Sequence, residues 1–345
     1  MSGPAAPLTG LPTVSVVIAA FTMERWADLQ EAVASVRAQT VPVLETIVVI
    51  DHHPGLLARA LRGLADVTVI PNVGGRGASG GRNTGVAASR GEVVAFLDDD
   101  AVASPTWLEP LLRHFRRPDV VGVGGRLDPL WAGSQPRWFP PEFGWAVGAS
   151  YRGMPEQAES VRNVWSGNMA VRRRVFDAIG GFRADFGKVG GRHRPEDTDL
   201  CLRAAAALDR GRWIYEPAGV ARHRVPANRA TLGYFLRRCL HEGRGKAALA
   251  ALNGISESMS AERRYTRHLL PAGIARGLRD AIRGDLFGLL RSAAIGVGFL
   301  CAAAGFLAGR IAGVVHRKGL LNPRPIPGSG HAPRHEGDAR SANSG

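Results

Sequence analysis

The stretch Glu92–Leu111, EVVAFLDDDAVASPTWLEPL, decides how this chain is read. Val93–Leu97 is a short apolar run of the kind that forms a buried strand. It ends in three successive aspartates, Asp98, Asp99 and Asp100. Clustered negative charge at the end of a buried strand is costly unless something positive meets it. Just beyond, Ser104 and Pro105 fit the N-cap and first position of a following helix.

Upstream, apolar runs alternate with helical periodicity. Thr13–Ala20, Glu45–Asp51 and Asp66–Pro71 read as strands. Trp26, Leu29, Val33 and Val36 fall at helical spacing, and PGLLARALRGLA reads as a short helix. A glycine-rich loop, NVGGRGASGGRNTG, then leads into a further helix. It matches neither the dinucleotide fingerprint nor a Walker loop. Strand–helix alternation predicts a mostly parallel α/β sheet covered on both faces. Ligands bind such sheets beyond the carboxyl ends of the strands, which is where Asp51 and Asp98 fall.

Downstream, VVGVGG reads as another strand. The segment from Leu130 to Trp165 is rich in aromatic residues: Trp131, Trp138, Phe139, Phe143, Trp145, Tyr151 and Trp165. Their faces suit sugar rings, and they equally suit packing of a long insert. NMAVRRRVFDAIGGF predicts a strand and a short helix closed by Gly180 and Gly181. After a loose loop, GKVGGRHR, Pro195, Glu196 and Asp197 open a helix, where acids complement the helix dipole. RWIYEPAGVARHRV is a final extended segment carrying His223.

The 345 residues carry 44 Lys and Arg against 30 Asp and Glu, a net charge of +14. That surplus points to acidic partners such as phosphorylated substrates or anionic lipid, although an Arg-rich composition bias also produces it. No RNP, zinc-finger or helix-turn-helix pattern occurs, so nucleic acid is not an expected partner. Cys201, Cys239 and Cys301 are too widely spaced for a zinc site or a disulfide framework, and read as free thiols. The opening MSGPAAPLTGLP lacks the features of a signal peptide, which predicts a cytoplasmic catalytic part.

Taken in order, the strand ending in Asp51, GGRNTG, FLDDD, SGNMAVRRRVFDAIGGF, PEDTDL and ARH resemble an inverting glycosyltransferase of family 2, with the GT-A fold. The resemblance runs from Thr13 to Val225. It implies that Asp98 and Asp100 form the DxD motif, which holds Mg²⁺ or Mn²⁺ across the diphosphate of a nucleotide-sugar donor. His223 is implied as a further metal contact. Ala19, Phe21, Glu24, Asp51, Arg82, Asn83, Asp98 and Asp99 are implied around the nucleotide. Trp165, Gly167, Asn168 and Glu196 are implied around the donor or acceptor sugar, and Asp197 as the general base. The run after the first strand (Ala19, Ala20, Phe21, Thr22) and the residues after Asp51 (His52, His53, Pro54) depart from the family's common pattern. The expectation of a UDP-sugar therefore rests on family frequency.

Beyond Val225 the chain turns helical. TLGYFLRRCLHEGRGKAALAAL reads as an amphipathic helix interrupted by glycines, with Arg237, Arg238, Arg244 and Lys246 suited to an anionic membrane surface. Ser292–Gly309 is uncharged between Arg291 and Arg310 and just reaches spanning length. Six strongly apolar residues give about −3 kcal/mol on the insertion scale, which four glycines and a serine oppose. The expectation is an embedded hairpin or an interfacial helix pair that includes Asp285–Leu290. A buried helix packed on the catalytic domain is the alternative. The domains expected are a flexible 1–12, a catalytic 13–228, a membrane-associating 229–318 and a disordered 319–345. Such an enzyme fits a lipid-linked or glycan acceptor, at the cytoplasmic face of the membrane, in cell-envelope glycoconjugate synthesis.

Two other function classes compete. A sugar-phosphate nucleotidyltransferase would need a glycine-rich basic signature after the first strand, which AAFTMERW does not supply. A non-catalytic scaffold would have no use for Asp98, Asp100 and Asp197 together. A processive synthase would need a Gln-x-x-Arg-Trp motif well after the acidic pair. DRGRW lacks the Gln and comes too soon, and QPRW precedes the pair.

Overall fold

The computed structural model describes residues 10–184, 186–189, 192–208, 211–253 and 260–321. The expected flexible start up to residue 9, the tail from residue 322 and the Asp209–Arg210 part of DRGRW lie outside the described residues.

The first half alternates as its hydrophobic pattern requires. Strands β1 (Val14–Ala20), β2 (Glu45–Ile50), β3 (Thr68–Pro71) and β4 (Val93–Leu97) pair in parallel in the order β3-β2-β1-β4. Helices α1 (Trp26–Arg37), α2 (Pro54–Gly63) and α3 (Ala78–Ala88) connect them. The third helix starts earlier than the glycine-rich loop suggested and runs through Gly80, Gly81 and Gly85. Close approach to the sheet is the reason: a Cβ at Gly85 would lie 2.3 Å from Val17 Cγ1, and one at Gly81 would lie 3.2 Å from the Ala19 Cβ.

The parallel rule then stops. After β5 (Ala101–Ala103), α4 (Leu108–Arg113) and β6 (Val120–Trp131), a short β7 (Glu159–Val161) precedes β8 (Asn168–Arg172), which inserts antiparallel between β4 and β6. Ser104 does not cap α4. It begins a turn in which its carbonyl accepts from Trp107 N (2.9 Å), and the helix starts at Leu108. Helix α5 (Arg173–Ile179) ends at Gly180 in the left-handed region, φ 75°, as its sequence predicts. Within the loose GKVGGRHR segment, β9 (Gly187–Val189) and β10 (Arg192–Arg194) pair antiparallel. Helix α6 (Glu196–Ala207) leads to β11 (Arg212–Val225), parallel to β6 and antiparallel to β5 and β7. One apolar core lies on the α1, α2 and α4 side of the sheet and another on the α5 and α6 side.

Helix α7 (Leu232–Asn253) is continuous; its glycines do not interrupt it. A short helix (Ser260–Arg264) passes through a π turn into α8 (Leu270–Ile282), and α9 (Phe287–Leu321) follows. The long apolar segment is part of one 35-residue helix, which begins within Asp285–Leu290 and pairs with α8 through Ser292 Oγ, which donates to Ile274 O at 2.9 Å. Glycines on both helices let it press against α7: a Cβ at Gly305 of α9 would lie 2.1 Å from Leu240 O, and one at Gly243 of α7 would lie 1.9 Å from Ala302 O. Phe235, Cys239, Leu270, Ala294 and Ile295 from these helices share a third core with Phe139, Phe143, Val147 and Val225. Cys201, Cys239 and Cys301 are free.

Candidate active site

The carboxyl end of β4 delivers Asp98–Asp100 to the rim of a cleft of about 1630 Å³. Strand register decides what meets them. Leu97 pairs with Asn168 across β4 and β8, so Asp98 N reaches Gly167 O at 3.4 Å. Ala101 pairs with His223 across β5 and β11, which brings the His223 Nε2 to 3.3 Å from Asp100 Oδ1.

Asp98, Asp100 and His223 each present a ligand atom, all within 4.8 Å of one another. Two carboxylates and an imidazole suit Mn²⁺ or Mg²⁺. Among the described residues, no hydrogen bond reaches the buried Asp99 Oδ2 or His223 Nδ1. Two glycines leave room for the group. A Cβ at Gly167 would lie 2.6 Å from Asp98 Oδ2, and one at Gly148 would lie 2.9 Å from the His223 ring. The residues present therefore fit a divalent cation.

A residue absent from the sequence expectations completes the cluster. Arg25, on the turn after β1, places Nη1 2.9 Å from both Asp99 Oδ1 and Asp100 Oδ2. Its neighbour Glu24, expected near the nucleotide, is exposed and does not line the cleft. Nothing in the local pattern marks one of these two over the other; only the turn's direction does. Burial pushes the Asp99 carboxyl up to about 7, with Arg25 opposing and the Asp100 and Asp98 charges adding to the rise. Burial would also raise Asp100, but its His223 and Arg25 partners hold it down at about 2.

Arg82 joins the acidic group to the start of α6. It is buried on α3 and donates to Asp98 Oδ1 (3.0 Å) and to Glu196 Oε1 (3.1 Å). Asp197 follows in the first turn of α6, where its Oδ1 accepts from Thr198 N at 2.7 Å. Burial and then the neighbouring Glu196 charge push the Asp197 carboxyl up to about 7. A carboxylate tuned near neutral pH is well matched to general-base work. Asp199, fully buried, anchors this helix through Arg203 (2.8 Å), which itself donates to Ile179 O and Gly181 O.

The expected residues divide. Ala19, Phe21, Asp51, Arg82, Asp98, Asp99, Asp100, Trp165, Gly167, Glu196, Asp197 and His223 all line the one cleft. Asp51 also has structural work: its carboxylate accepts from Asn72 Nδ2 (2.6 Å) and Gly77 N (2.8 Å), tying down the glycine-rich loop. Asn83 and Asn168 do not reach the cleft. Asn83 bonds Phe182 N and O (both 2.8 Å), fastening the Gly180–Gly181 turn. Asn168 is 1% exposed; it accepts from Trp107 Nε1 (2.7 Å) and donates to Arg126 O and Gly219 O. The aromatic insert splits as well. Trp131, Trp138 and Phe139 pack edge-on in the core of the C-terminal helices, whereas Phe143, Trp145, Tyr151 and Trp165 line the cleft.

Residues 15–180 match the family model for glycosyl transferase family 2. The chain is 31% identical over 318 residues to a glucosyl-dolichyl phosphate glucuronosyltransferase of Haloferax volcanii, covering 91% of this chain and 98% of that one. The chain belongs to glycosyl transferase family 2. A second family relative, the succinoglycan biosynthesis protein ExoM of Rhizobium meliloti, is 30% identical over 49% of this chain and 52% of its own length. The fold agrees. A mannosyltransferase from Pyrobaculum calidifontis, solved with GDP-Man and Mn²⁺, superposes with a TM-score of 0.54 at 18% identity, covering 87% of this chain and 88% of that one. This glycosyltransferase therefore has the GT-A architecture that its motifs implied, and its acidic group sits where the strand ends converge.

Proposed function

We propose that the protein is an inverting, metal-dependent glycosyltransferase that moves a sugar from a nucleotide-sugar donor to a hydroxyl of a lipid-linked acceptor. The observation that carries this is the Arg82 bridge: one buried guanidinium touches both Asp98 of the cation-binding group and Glu196, next to Asp197. Leaving group and base are thereby held in a single cleft.

A bound divalent cation would neutralise the charge that develops on the departing diphosphate. Asp98, Asp100 and His223 would hold it. Asp197 accepts the proton of the acceptor hydroxyl as its oxygen attacks the anomeric carbon opposite the leaving nucleotide. One displacement inverts the configuration. Glu196 and Arg82 orient this base relative to the donor, which lowers the entropic part of the barrier. Arg25 holds Asp99 and Asp100 against their mutual repulsion.

We take the donor to be a UDP-sugar and the acceptor a sugar-bearing polyprenyl-type phosphate, like that named for the Haloferax relative. The setting is the cytoplasmic face of a membrane, in envelope glycoconjugate synthesis. Support comes from α9: its stretch Phe287–Ala312 has a mean hydropathy of 1.8, yet only 28% of its most apolar window is buried. Leu289, Leu290, Val297, Leu300, Leu307 and Ile311 are exposed on it, and a core helix would not leave them so. Residues 229–318 would then be the membrane-associating part.

The test is thermal stabilisation by a panel of UDP- and GDP-sugars with Mn²⁺. One sugar nucleotide should raise the Tm, and chelation should abolish the rise. No stabilisation by any donor, or stabilisation indifferent to chelator, would defeat the reading.

A further inference from the structure

The cleft continues past Asp197 onto the C-terminal helices. Tyr234, Arg238, Glu242 and Lys246 recur every fourth residue of α7 and all line it. Spacing of four keeps them on one face. Arg238 pairs with Glu242 at 2.8 Å, and Lys246 pairs with Glu242 and Glu262. Arg162, from the loop after β7, grips Glu262 with both terminal nitrogens, at 2.7 and 3.0 Å. Arg162, Arg238 and Lys246 thus face Glu242 and Glu262 beside the Tyr151 and Trp165 rings.

Taking this many ions half out of water is expensive for a purely structural joint, because apolar packing holds helices as well or better. A mixed set of fixed donors and acceptors against aromatic rings is what a phosphorylated sugar headgroup requires. Glu242 also lies close enough to Asp197 to help raise its carboxyl, so the charged shelf begins next to the base.

The lining changes character beside the shelf. Phe299, Ala302, Ala303 and Phe306 of α9 lie at i, i+3, i+4 and i+7 and form an apolar strip in the same cleft. At 1.5 Å per residue the strip runs roughly 10 Å. It abuts the shelf, since Gly243 packs directly against Ala302 O and Phe306 N. The outer face of the same helix carries the exposed Leu300, Leu307 and Ile311.

We infer that the shelf and strip form the acceptor subsite, with Arg162, Arg238 and Lys246 taking the phosphate-bearing headgroup and the α9 strip taking the first part of a long hydrocarbon tail. The ligand class is a long-chain isoprenyl phosphate whose phosphate bears the acceptor sugar, presented from the bilayer along α9; farnesyl phosphate is its sugar-free fragment. This rests on the lipid-linked reading above and assigns its residues.

The experiment uses the full chain in detergent and measures binding of farnesyl phosphate, farnesol and inorganic phosphate by tryptophan fluorescence. Farnesyl phosphate should bind at least about tenfold more tightly than either fragment. Ala303→Trp, at an exposed position, should weaken farnesyl phosphate and farnesol about tenfold and leave nucleotide-sugar stabilisation with Mn²⁺ unchanged. Lys246→Met should weaken farnesyl phosphate by a similar factor and spare farnesol. Wild-type-like binding by the Ala303→Trp protein, or no preference of the wild type for farnesyl phosphate, overturns the assignment. If farnesyl phosphate binds as described but no sugar nucleotide stabilises the protein, the lipid subsite stands and the proposed donor and metal requirement fall.

Discussion

The two ends of the cleft are built on different principles. At the donor end, Arg25, Asp51 and Asp98–Asp100 follow the ends of β1, β2 and β4, and His223 lies on β11 beside β5, so the ladders between strands set the spacing of these groups. At the far end the functional groups project from helix faces whose mutual position depends on packing between α7, α8 and α9. The first arrangement tolerates little movement, because a shifted strand disrupts every rung beside it. The second can adjust by small slides of packed helices. The proposed in-line displacement would occupy the rigid end. A surface that must accept a flexible amphiphile can occupy the other.

The sharpest way to break this contrast is to change the proposed base, Asp197. Asp197→Asn should lower kcat by roughly 10²–10⁴-fold while leaving donor binding in place. Its effect on stability has a definite sign. The folded protein holds the Asp197 proton more tightly than the unfolded chain, because the folded carboxyl sits at about 7 against an ordinary 3.8. Ionisation therefore costs stability progressively between those values, and the full cost is present above 7. The variant should be the more thermostable protein at pH 8 and gain nothing at pH 4. Equal melting curves at both pH values, with full turnover, would remove Asp197 from the chemistry.

Asp100→Asn should act at the other pole. Transfer should fall by roughly 10²–10³-fold, and Mn²⁺ should no longer raise the Tm. Gly167→Ala tests the same pole without touching a ligand. Its Cβ would sit 2.6 Å from Asp98 Oδ2, so the carboxylate must turn away. A loss of roughly tenfold to a hundredfold in rate is expected, with weaker Mn²⁺ stabilisation and near-normal folding. Unchanged Mn²⁺ response in both variants would place the cation elsewhere.

The wild-type pH profile gives a smaller and more graded effect. Asp197 is active as the carboxylate, so kcat should fall about tenfold per unit as pH drops below about 7. A plateau extending to pH 5 would mean that a different group takes the proton.

The donor end was legible in the sequence because its signal is local. An apolar run that stops at an acid names both the strand and the edge it faces, as Val93–Leu97 with Asp98 does. Pro195, Glu196 and Asp197 were equally legible as a helix start. What could not be read were pairings across long separations. Arg25 meets Asp99 only because β1 and β4 are neighbours, and Arg162 meets Glu262 from 100 residues away. The antiparallel β8 was also hidden, since its apolar run is compatible with either direction. Arg238 and Lys246, which looked like surface charges for lipid, point into the cleft, whereas Arg237 and Arg244 remain exposed. Helical periodicity names a face but not what the face meets.

Asn168 is the smallest test in turnover and the most instructive about that limit. Its motif places it beside the sugar, yet its side chain is buried and ties α4, β6 and β11 together through Trp107 Nε1, Arg126 O and Gly219 O. Asn168→Ala would leave a buried indole N–H and two carbonyls without this partner. The expected cost is about 2–3 kcal/mol of stability, read as a lower Tm. At a temperature where the variant remains folded, kcat should stay within about twofold of wild type and KM for the donor should not move, since nothing that touches the reacting atoms has been removed. A large rise in donor KM with an unchanged Tm would return Asn168 to the sugar site and weaken the separation between scaffold and chemistry at the rigid end of the cleft.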